Sequence, residues 1–224
     1  MALIKCSECN NEVSDTAKNC PKCGAKIINK IKEEKKKKNK SKIIIFGIIV
    51  AVLIAISTIT LFIINQKRLS TYKKNYEDII DKIYDSARET EDALSLYREV
   101  WYNTIWEEDD IQTDKYTKDA TGEFNDDFND SLTNLWISSD YSSKINDIKI
   151  DSLSEIPSLY KKLKNPPKKM KNAFDDLEEL YDAYLSFTDM ALNPSGSLNS
   201  FTNKYNELDD KVASLYKKAY RNIE

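Results

Sequence analysis

The sequence predicts a mostly α-helical protein in three parts: a small cysteine-bound module, one transmembrane helix, and an extracytoplasmic antiparallel helical bundle. Only four of the 224 residues are Gly, and parallel α/β folds use glycine freely at their turns. Charges and cysteines are unevenly distributed, and apolar residues recur at helical spacing. We expect the module at residues 1–28, a basic linker at 29–42, the span at 43–64 and the bundle at 65–224.

Composition excludes several functional classes. The chain has no His, which removes Ser-His-Asp and Cys-His nucleophiles and every His-ligated zinc site. Neither G-x-G-x-x-G nor G-x-x-x-x-G-K-[ST] occurs, so no phosphate-binding glycine loop is expected. Residues 1–42 carry a net charge of +7, residues 43–64 carry none, and residues 65–224 carry −10. We therefore expect three chemically different parts on one chain.

All four cysteines lie near the amino end as CxxC-x10-CxxC, formed by Cys6, Cys9, Cys20 and Cys23. Two such knuckles supply the four thiolates of a tetrahedral zinc site. Asn10 and Gly24 follow the knuckles and tolerate the positive φ that turns backbone N–H groups towards sulfur. Ten intervening residues are too few for a core, so one structural Zn²⁺ should replace it. Two disulfides, a redox pair and an iron–sulfur cluster are the alternatives.

The second knuckle carries the closest resemblance to a known module. Residues 20–27 read CPKCGAKI, and Val13 and Ala17 also match the minimal zinc ribbons found at the amino end of bacterial proteins. Ser7 and Asn10 depart from the usual first knuckle. The resemblance implies a zinc ribbon with the four cysteines as ligands.

Residues 43–64 read IIIFGIIVAVLIAISTITLFII, 22 residues without a charge. As a helix they would extend about 33 Å, enough for a hydrocarbon core of about 30 Å. The hydroxyls of Ser57, Thr58 and Thr60 can bond back to the preceding turn. A buried core helix rarely lacks a polar face over this length. A cleaved signal peptide is disfavoured because the run starts late and has no cleavage site.

Flanking charge predicts the orientation. Eight lysines lie between Lys30 and Lys42, against four basic residues just after the span. The positive-inside rule then puts the amino end in the cytoplasm and the carboxy-terminal domain outside the cell membrane, and the cysteines on the reducing side agree. We expect Lys30–Lys42 to contact anionic lipid headgroups. Nucleic acid is a disfavoured partner because the lysines lack interleaved aromatics and no Arg precedes Arg68.

Beyond the span the spacing predicts a long helix from Tyr72 to about Glu108, ended by four acidic residues. Its inward face would comprise Tyr76, Ile79 or Ile80, Ile83, Ala87, Leu94, Tyr97, Trp101 and Ile105. A further helix is expected from about Lys118 to Ser138, with Phe124, Phe128, Leu132, Leu135 and Trp136. Residues 140–165 are ambiguous: Ile145, Ile148, Ile150 and Leu153 suggest a short helix, and Pro157 should start another that ends at Lys164.

Two apolar stripes predict an antiparallel helical hairpin at the carboxy end. The first contains Met170, Phe174, Leu177, Tyr181, Tyr184, Thr188 and Ala191; the second contains Leu198, Phe201, Tyr205, Leu208, Val212, Leu215 and Ala219. The second is an unbroken heptad pattern, typical of coiled coils. Pro166-Pro167 should open the first helix, and Ser197 should cap the second.

Carboxylates are numerous but mostly adjacent, as in Asp126-Asp127, Asp175-Asp176, Glu178-Glu179 and Asp209-Asp210. Neighbouring helical residues point about 100° apart, so these pairs indicate a solvated face rather than an acid–base dyad. The cluster Glu107–Asp110 with Asp114 could bind Ca²⁺ but lacks the EF-hand pattern. Tyr and Trp residues at core spacing indicate packing rather than a carbohydrate platform.

The order of parts in residues 1–64 resembles uncharacterised zinc-ribbon, single-span membrane proteins of Gram-positive bacteria. That resemblance implies an accessory or sensory role at the cell envelope, with no catalytic residues. We expect a non-enzymatic protein whose outer bundle binds a protein partner or an envelope component. The alternatives are an envelope enzyme that uses carboxylates of the outer domain and a zinc or redox sensor that acts through the ribbon.

Overall fold

The computed structural model describes residues 3–27 and 30–223, with side chains for residues 3–27 and 41–223. The amino end contains strands β1 (Leu3–Lys5) and β2 (Glu12–Ser14). The helices are α1 (Lys30–Trp106), α2 (Asp114–Thr117), α3 (Phe128–Ile137), α4 (Ser139–Ile150), α5 (Ile156–Leu163), α6 (Lys171–Leu192) and α7 (Leu198–Tyr220). The predicted mostly helical fold class is confirmed. The chain divides into two compact units, Met1–Ile64 and Asn65–Glu224.

In the first unit, β1 and β2 pair antiparallel with Ile4 opposite Val13. This places the first cysteine knuckle in the turn of a short hairpin. A second pairing, Asn19 with Lys26, brackets the second knuckle in the same way. Val13 is buried beside two of the cysteines, and Ile4 and Ile27 pack against them. An apolar core this small leaves a bound metal as the main expected source of stability for the module.

The apolar segment of α1 is one continuous helix, and every side chain from residue 41 to residue 64 is exposed. It is the one helix in the described chain that is long and apolar enough to cross a membrane, and none of its apolar window is buried. The hydroxyls of Ser57 and Thr60 donate to the carbonyls of Leu53 and Ile56, both at 2.8 Å. The polar groups within the segment are thereby satisfied internally, as predicted.

The second unit contains the rest of α1, whose predicted end is confirmed. Glu107 adopts φ of 50°, which terminates α1 at Trp106. Most of the predicted inward face is buried, but Ile105 is 44% exposed and that assignment is wrong. Asn103 is buried there instead and donates to the hydroxyl of Thr113 at 2.9 Å, so a polar contact to the following loop replaces the apolar stripe.

Contacts along α1 define the directions of its neighbours. The Tyr76 hydroxyl donates to the carbonyl of Ala219 at 3.0 Å. Farther along, the ring of Tyr97 lies 5.3 Å from that of Phe201. Because residue numbers rise along α1 while they fall along α7, these two helices are antiparallel.

Other contacts relate α1 to α4, α5 and α6. Lys82 pairs with Asp151, at 2.8 Å, in the turn between α4 and α5, and Lys144 of α4 pairs with Asp92. The segment α4–α5 therefore also runs antiparallel to α1. The buried hydroxyls of Ser86 and Tyr184, 2.8 Å apart, link α1 to α6. These four helical segments share one apolar core.

The carboxy-terminal hairpin forms as predicted. The rings of Phe187 on α6 and Tyr205 on α7 are 6.2 Å apart near the turn. Towards the far end, Lys218 forms an ion pair with Asp176 at 3.0 Å. Ser197 caps α7 by accepting a hydrogen bond from the N–H of Ser200, whose side chain in turn accepts from the N–H of Ser197.

The helix predicted from Lys118 to Ser138 is wrong over its first ten residues. Asp119 accepts hydrogen bonds from the backbone N–H groups of Thr121 and Glu123, which closes a turn instead of a helix. Gly122 takes φ of 88° in that turn. The helix α3 begins at Phe128, and the Asp127 side chain caps it by accepting from Asn129. Competition from aspartate side chains explains the difference.

Between α4 and α5 the chain stays helical through a π-helical turn, Asp151–Glu155. The helix predicted from Pro157 to Lys164 is confirmed as α5, with Pro157 in its first turn, but no break separates it from α4. The wide turn accommodates Pro157, which lacks an N–H, without a break. Of the apolar residues in and around this turn, Ile148 and Ile156 are buried, whereas Ile150 and Leu153 are exposed.

Candidate metal centre

The four predicted cysteines meet at one point of the amino-terminal unit. Their Sγ atoms all lie within 4.8 Å of one another. Cys6 and Cys23 are 3.7 Å apart, and Cys9 and Cys20 are 3.6 Å apart. A tetrahedral zinc with Zn–S bonds of about 2.3 Å places its sulfurs about 3.8 Å apart. The donor set and its spacing thus fit a zinc ion.

Both knuckles have the same backbone geometry. The N–H of Asn10 donates to the carbonyl of Cys6 at 3.0 Å, and the N–H of Gly24 donates to that of Cys20 at 2.9 Å. Asn10 and Gly24 have φ of 51° and 74°, the left-handed conformation predicted for them. Gly pays no steric cost there, and Asn tolerates it better than most residues.

Backbone N–H groups and neighbouring thiols shift the pKa values of the Cys20 and Cys23 thiols. N–H groups of Cys23 and Lys22 point at the Cys20 sulfur and lower the pKa of its thiol to about 7. The N–H of Ala25 acts in the same direction on Cys23, but hydrogen bonds with Cys9 and the other thiols raise the pKa of Cys23 to about 12. The Cys23 thiol therefore stays protonated at neutral pH, and a bound divalent cation would displace its proton.

All four cysteines are free thiols. The two-disulfide alternative is therefore not the state of this structure, since bonded sulfurs would lie about 2 Å apart. The predicted cofactor, one structural Zn²⁺, is confirmed by the clustering of the four cysteines and by the two-knuckle module that contains them.

Comparison with known protein families identifies a zinc-ribbon domain over residues 5–27. The match contains both knuckles and β2, which is the part of the chain that the thiol geometry singles out. No curated protein and no solved structure matches the chain.

The acidic pairs of the second unit are only partly a solvated face. Asp126, Asp127, Asp175, Glu178, Glu179 and Asp210 are exposed, as expected. Asp176 and Asp209 are half-buried, which corrects the prediction for those two residues. Asp176 pairs with Lys218. Asp209 precedes Val212 by three residues, so its position at the edge of the α7 stripe could have been read from the sequence.

The acidic cluster Glu107–Asp110 with Asp114 forms a turn after α1, and a lysine within the same stretch neutralises part of its charge. Lys118 pairs with both Asp109 and Asp114. The Asp110 N–H donates to Asp114 at 3.0 Å, and this bond, with the Lys118 ammonium, lowers the pKa of the Asp114 carboxyl. These contacts favour a stabilised turn over the calcium alternative.

Aromatic residues of the second unit mostly pack in the core, but five that the sequence did not single out as exposed are so: Tyr84, Tyr102, Trp106, Trp136 and Tyr220. Tyr76 and Tyr184 are fully buried, and burial raises the pKa of Tyr76 to about 12. In contrast, Tyr102 and Trp106 stack at 4.4 Å on the outside of the last turns of α1. Trp106 is 54% exposed, and Ile105 lies beside it. We call Tyr102, Ile105 and Trp106 the tip patch.

Proposed function

We propose that this is a non-enzymatic, single-pass membrane protein with a cytoplasmic zinc ribbon and an extracytoplasmic helical unit that binds a partner. The observation that carries the proposal is the exposed apolar segment of α1. Sixteen of its 22 residues are Ile, Leu, Val or Phe. Moving these into a bilayer would gain about 5–10 kcal/mol on an insertion scale. In water the same side chains would all face solvent.

The orientation rests on charge and on redox chemistry. Lysines before the span outnumber the cations after it, although the side chains of residues 30–40 lie outside the described part of the structure. Four free thiols before the span, and none after it, suit a reducing compartment on the amino side. The same order of parts supports placing the protein with the single-span zinc-ribbon proteins of Gram-positive bacteria, at the cell envelope.

The tip patch supports a binding role for the helical unit. An exposed Trp–Tyr stack beside an exposed Ile is typical of a contact surface, because such residues gain most from being covered by a partner. Ile111, in the turn just beyond, is 93% exposed. The ribbon, fixed by its metal, would then serve as a rigid module for contacts in the cytoplasm.

An envelope enzyme is the rival proposal, and it would need carboxylates on facing helices. Glu91 on α1 and Asp209 on α7 line one groove and are such a pair. Cations and apolar side chains line the same groove, which favours a binding role for these carboxylates.

Membrane insertion is tested by alkaline extraction of membranes from cells that make the full chain. We expect the protein to stay in the pellet, and a variant with Ile49→Lys and Ile56→Lys to move to the supernatant. Two lysines near the centre of the span cost about 5–7 kcal/mol on the same scale. Extraction of the unaltered chain would overturn the proposal. The matched control, Lys73→Ile with Lys74→Ile, should stay in the pellet.

The binding role is tested with a photo-crosslinking residue at Ile105 in intact cells. We expect a discrete crosslinked product from this position and none from the exposed Glu77, on the same helix. Equal crosslinking from both positions, or none from Ile105, would contradict a role for the tip patch.

A further inference from the structure

A groove with a cavity of about 320 Å³ lies between α1 and α7 in the second unit. Four residues of each helix line it at spacing i, i+3, i+4 and i+7, on one helical face, and Lys217 of α7 lines it as well. The residues at this spacing are Tyr84, Ala87, Arg88 and Glu91 on α1, and Asp209, Val212, Ala213 and Tyr216 on α7. The groove is therefore built from two matching helical faces.

Because α1 and α7 are antiparallel, each end of the groove brings together residues of the same kind from the two helices. At one end the rings of Tyr84 and Tyr216 stack at 4.9 Å. At the other end Glu91 and Asp209 face each other, near enough that Asp209 contributes to raising the pKa of Glu91. Seven residues separate the tyrosine from the carboxylate on each helix, about 10 Å. The groove thus has an aromatic end and an acidic end.

Small side chains leave the middle of the groove open. Ala87 and Ala213 lie midway along the two faces. The floor is apolar: Phe187, from α6, is 1% exposed, and Val212 is also buried. A ligand lying along this floor would bury apolar surface on both sides.

The two carboxylates of the acidic end form no ion pair with any described residue, although two cations, Arg88 and Lys217, also line the groove. Within the described part of the chain, neither Glu91 nor Asp209 has a Lys or Arg nitrogen within 4.0 Å. The guanidinium of Arg88 instead lies over the ring of Tyr84, at 5.8 Å. Burial raises the pKa of both carboxyls, and the adjacent Asp210 adds to the effect on Asp209. The charge of Arg88 acts in the opposite direction on Glu91, whose pKa is nevertheless raised. A positive charge placed here would relieve this repulsion.

We propose that the groove binds an organic cation, with its ammonium group between Glu91 and Asp209 and its apolar body over Phe187 towards the two tyrosines. Carboxylates and aromatic faces both attract cations, and the apolar floor adds binding free energy through burial. This inference rests on the proposed binding role of the helical unit and names a ligand class for it.

The test uses the zinc-loaded full chain in phosphatidylcholine nanodiscs, titrated with phenylbutylammonium or with phenylbutyrate. The two probes share an apolar body and differ in charge. Methyl NMR signals of Ala87, Val212 and Ala213 report binding at the groove itself. We expect saturable shifts with the cation, and an affinity for the anion at least tenfold lower. Equal affinity for the two probes, or no saturable shift with the cation, would overturn the proposal.

Two kinds of variant test separately the charge of the groove and the open volume within it. Glu91→Gln with Asp209→Asn should weaken cation binding at least tenfold. Ala213→Leu should fill the groove and abolish binding while every charge remains, which decides the matter if the double variant does not fold. Glu207→Gln, an exposed carboxylate elsewhere on α7, is the control and should bind as the unaltered chain does.

Unchanged binding by Ala213→Leu would overturn the proposal. A change in the number of chains per particle with this variant would also overturn it, because a second copy would then occupy the groove. Crosslinking from Ile105 does not depend on the groove. Its success together with failed cation binding would leave the partner role intact and remove only the ligand assignment.

Discussion

Single residues determine the properties of both candidate sites. Asn10 and Gly24 set the geometry of the metal centre, and Glu91 and Asp209 form the acidic end of the groove between α1 and α7. The left-handed conformation of Asn10 and Gly24 could be predicted from the sequence, because a cysteine knuckle fixes both the type and the spacing of the residue that follows it. The half-burial of Asp209 departs from the prediction of a solvated pair, because two adjacent helical carboxylates do not share one face. Its neighbour Asp210 points about 100° away and is exposed. Helical spacing against Val212 would have separated the two.

At the metal centre, Cys20→Ser should reduce bound zinc from one per chain to well below half. The change removes a thiolate whose pKa backbone N–H groups lower to about 7, and a hydroxyl is a poor substitute ligand. Zinc per chain, measured by elemental analysis, checks this. Ser7→Ala, at an exposed position in the first knuckle, is the control and should retain one zinc.

In the groove, Asp209→Asn should raise the melting temperature at pH 7. Burial raises the folded-state pKa of Asp209, so the protonated carboxyl stabilises the fold at low pH, and this stabilisation is lost as pH rises through the folded pKa. Asn keeps the group neutral at every pH. The advantage should therefore shrink below the unfolded pKa of about 4.

Thermal melts of the full chain between pH 4 and pH 7 measure the effect, and Glu207→Gln is the control. A variant that is less stable at pH 7 than the unaltered chain would show that Asp209 stabilises the fold as a carboxylate.

Among the elements, the hairpin α6–α7 was predictable because its stripes, prolines and Ser197 cap all indicate the same structure. The segment from Lys118 to Asp127 was not, since aspartate side chains compete with the helix for backbone N–H groups. The π-helical turn was also missed: one wider turn shifts the buried face, and apolar spacing alone does not reveal it.

Within α7, Leu208→Ala should destabilise the helical unit by about 2–5 kcal/mol, because Leu208 is 9% exposed and packs in the core. For a unit of this size the melting temperature should fall by about 5–15 °C. Near-UV circular dichroism of the full chain, which follows the packing of aromatic side chains, measures it.

The exposed Asp210→Ala is the matched control and should change the free energy of unfolding by less than about 0.5 kcal/mol. Equal effects of the two substitutions would mean that the α7 stripe does not face a core.

Over the whole molecule, composition divides the chain in the same place as the structure does. The charge-free run ends at Ile64, where the first compact unit also ends. Zinc would then stabilise the ribbon, lipid would stabilise the apolar span, and apolar packing would stabilise the helical unit. The site was predictable where chemistry demands fixed spacing, as in the cysteines. The groove and the tip patch depend on how helices pack, and no local pattern specifies that.

The central claim is that the ribbon and the helical unit lie on opposite sides of a membrane. Two reporter cysteines test it: Ser195→Cys, in the exposed turn between α6 and α7, and Lys18→Cys, on the exposed surface of the ribbon. An impermeant thiol reagent is applied to intact and to permeabilised cells that make the full chain. We predict that Ser195→Cys is labelled in intact cells, whereas Lys18→Cys is labelled only after permeabilisation. The reverse pattern, or labelling of both sites in intact cells, would contradict the account.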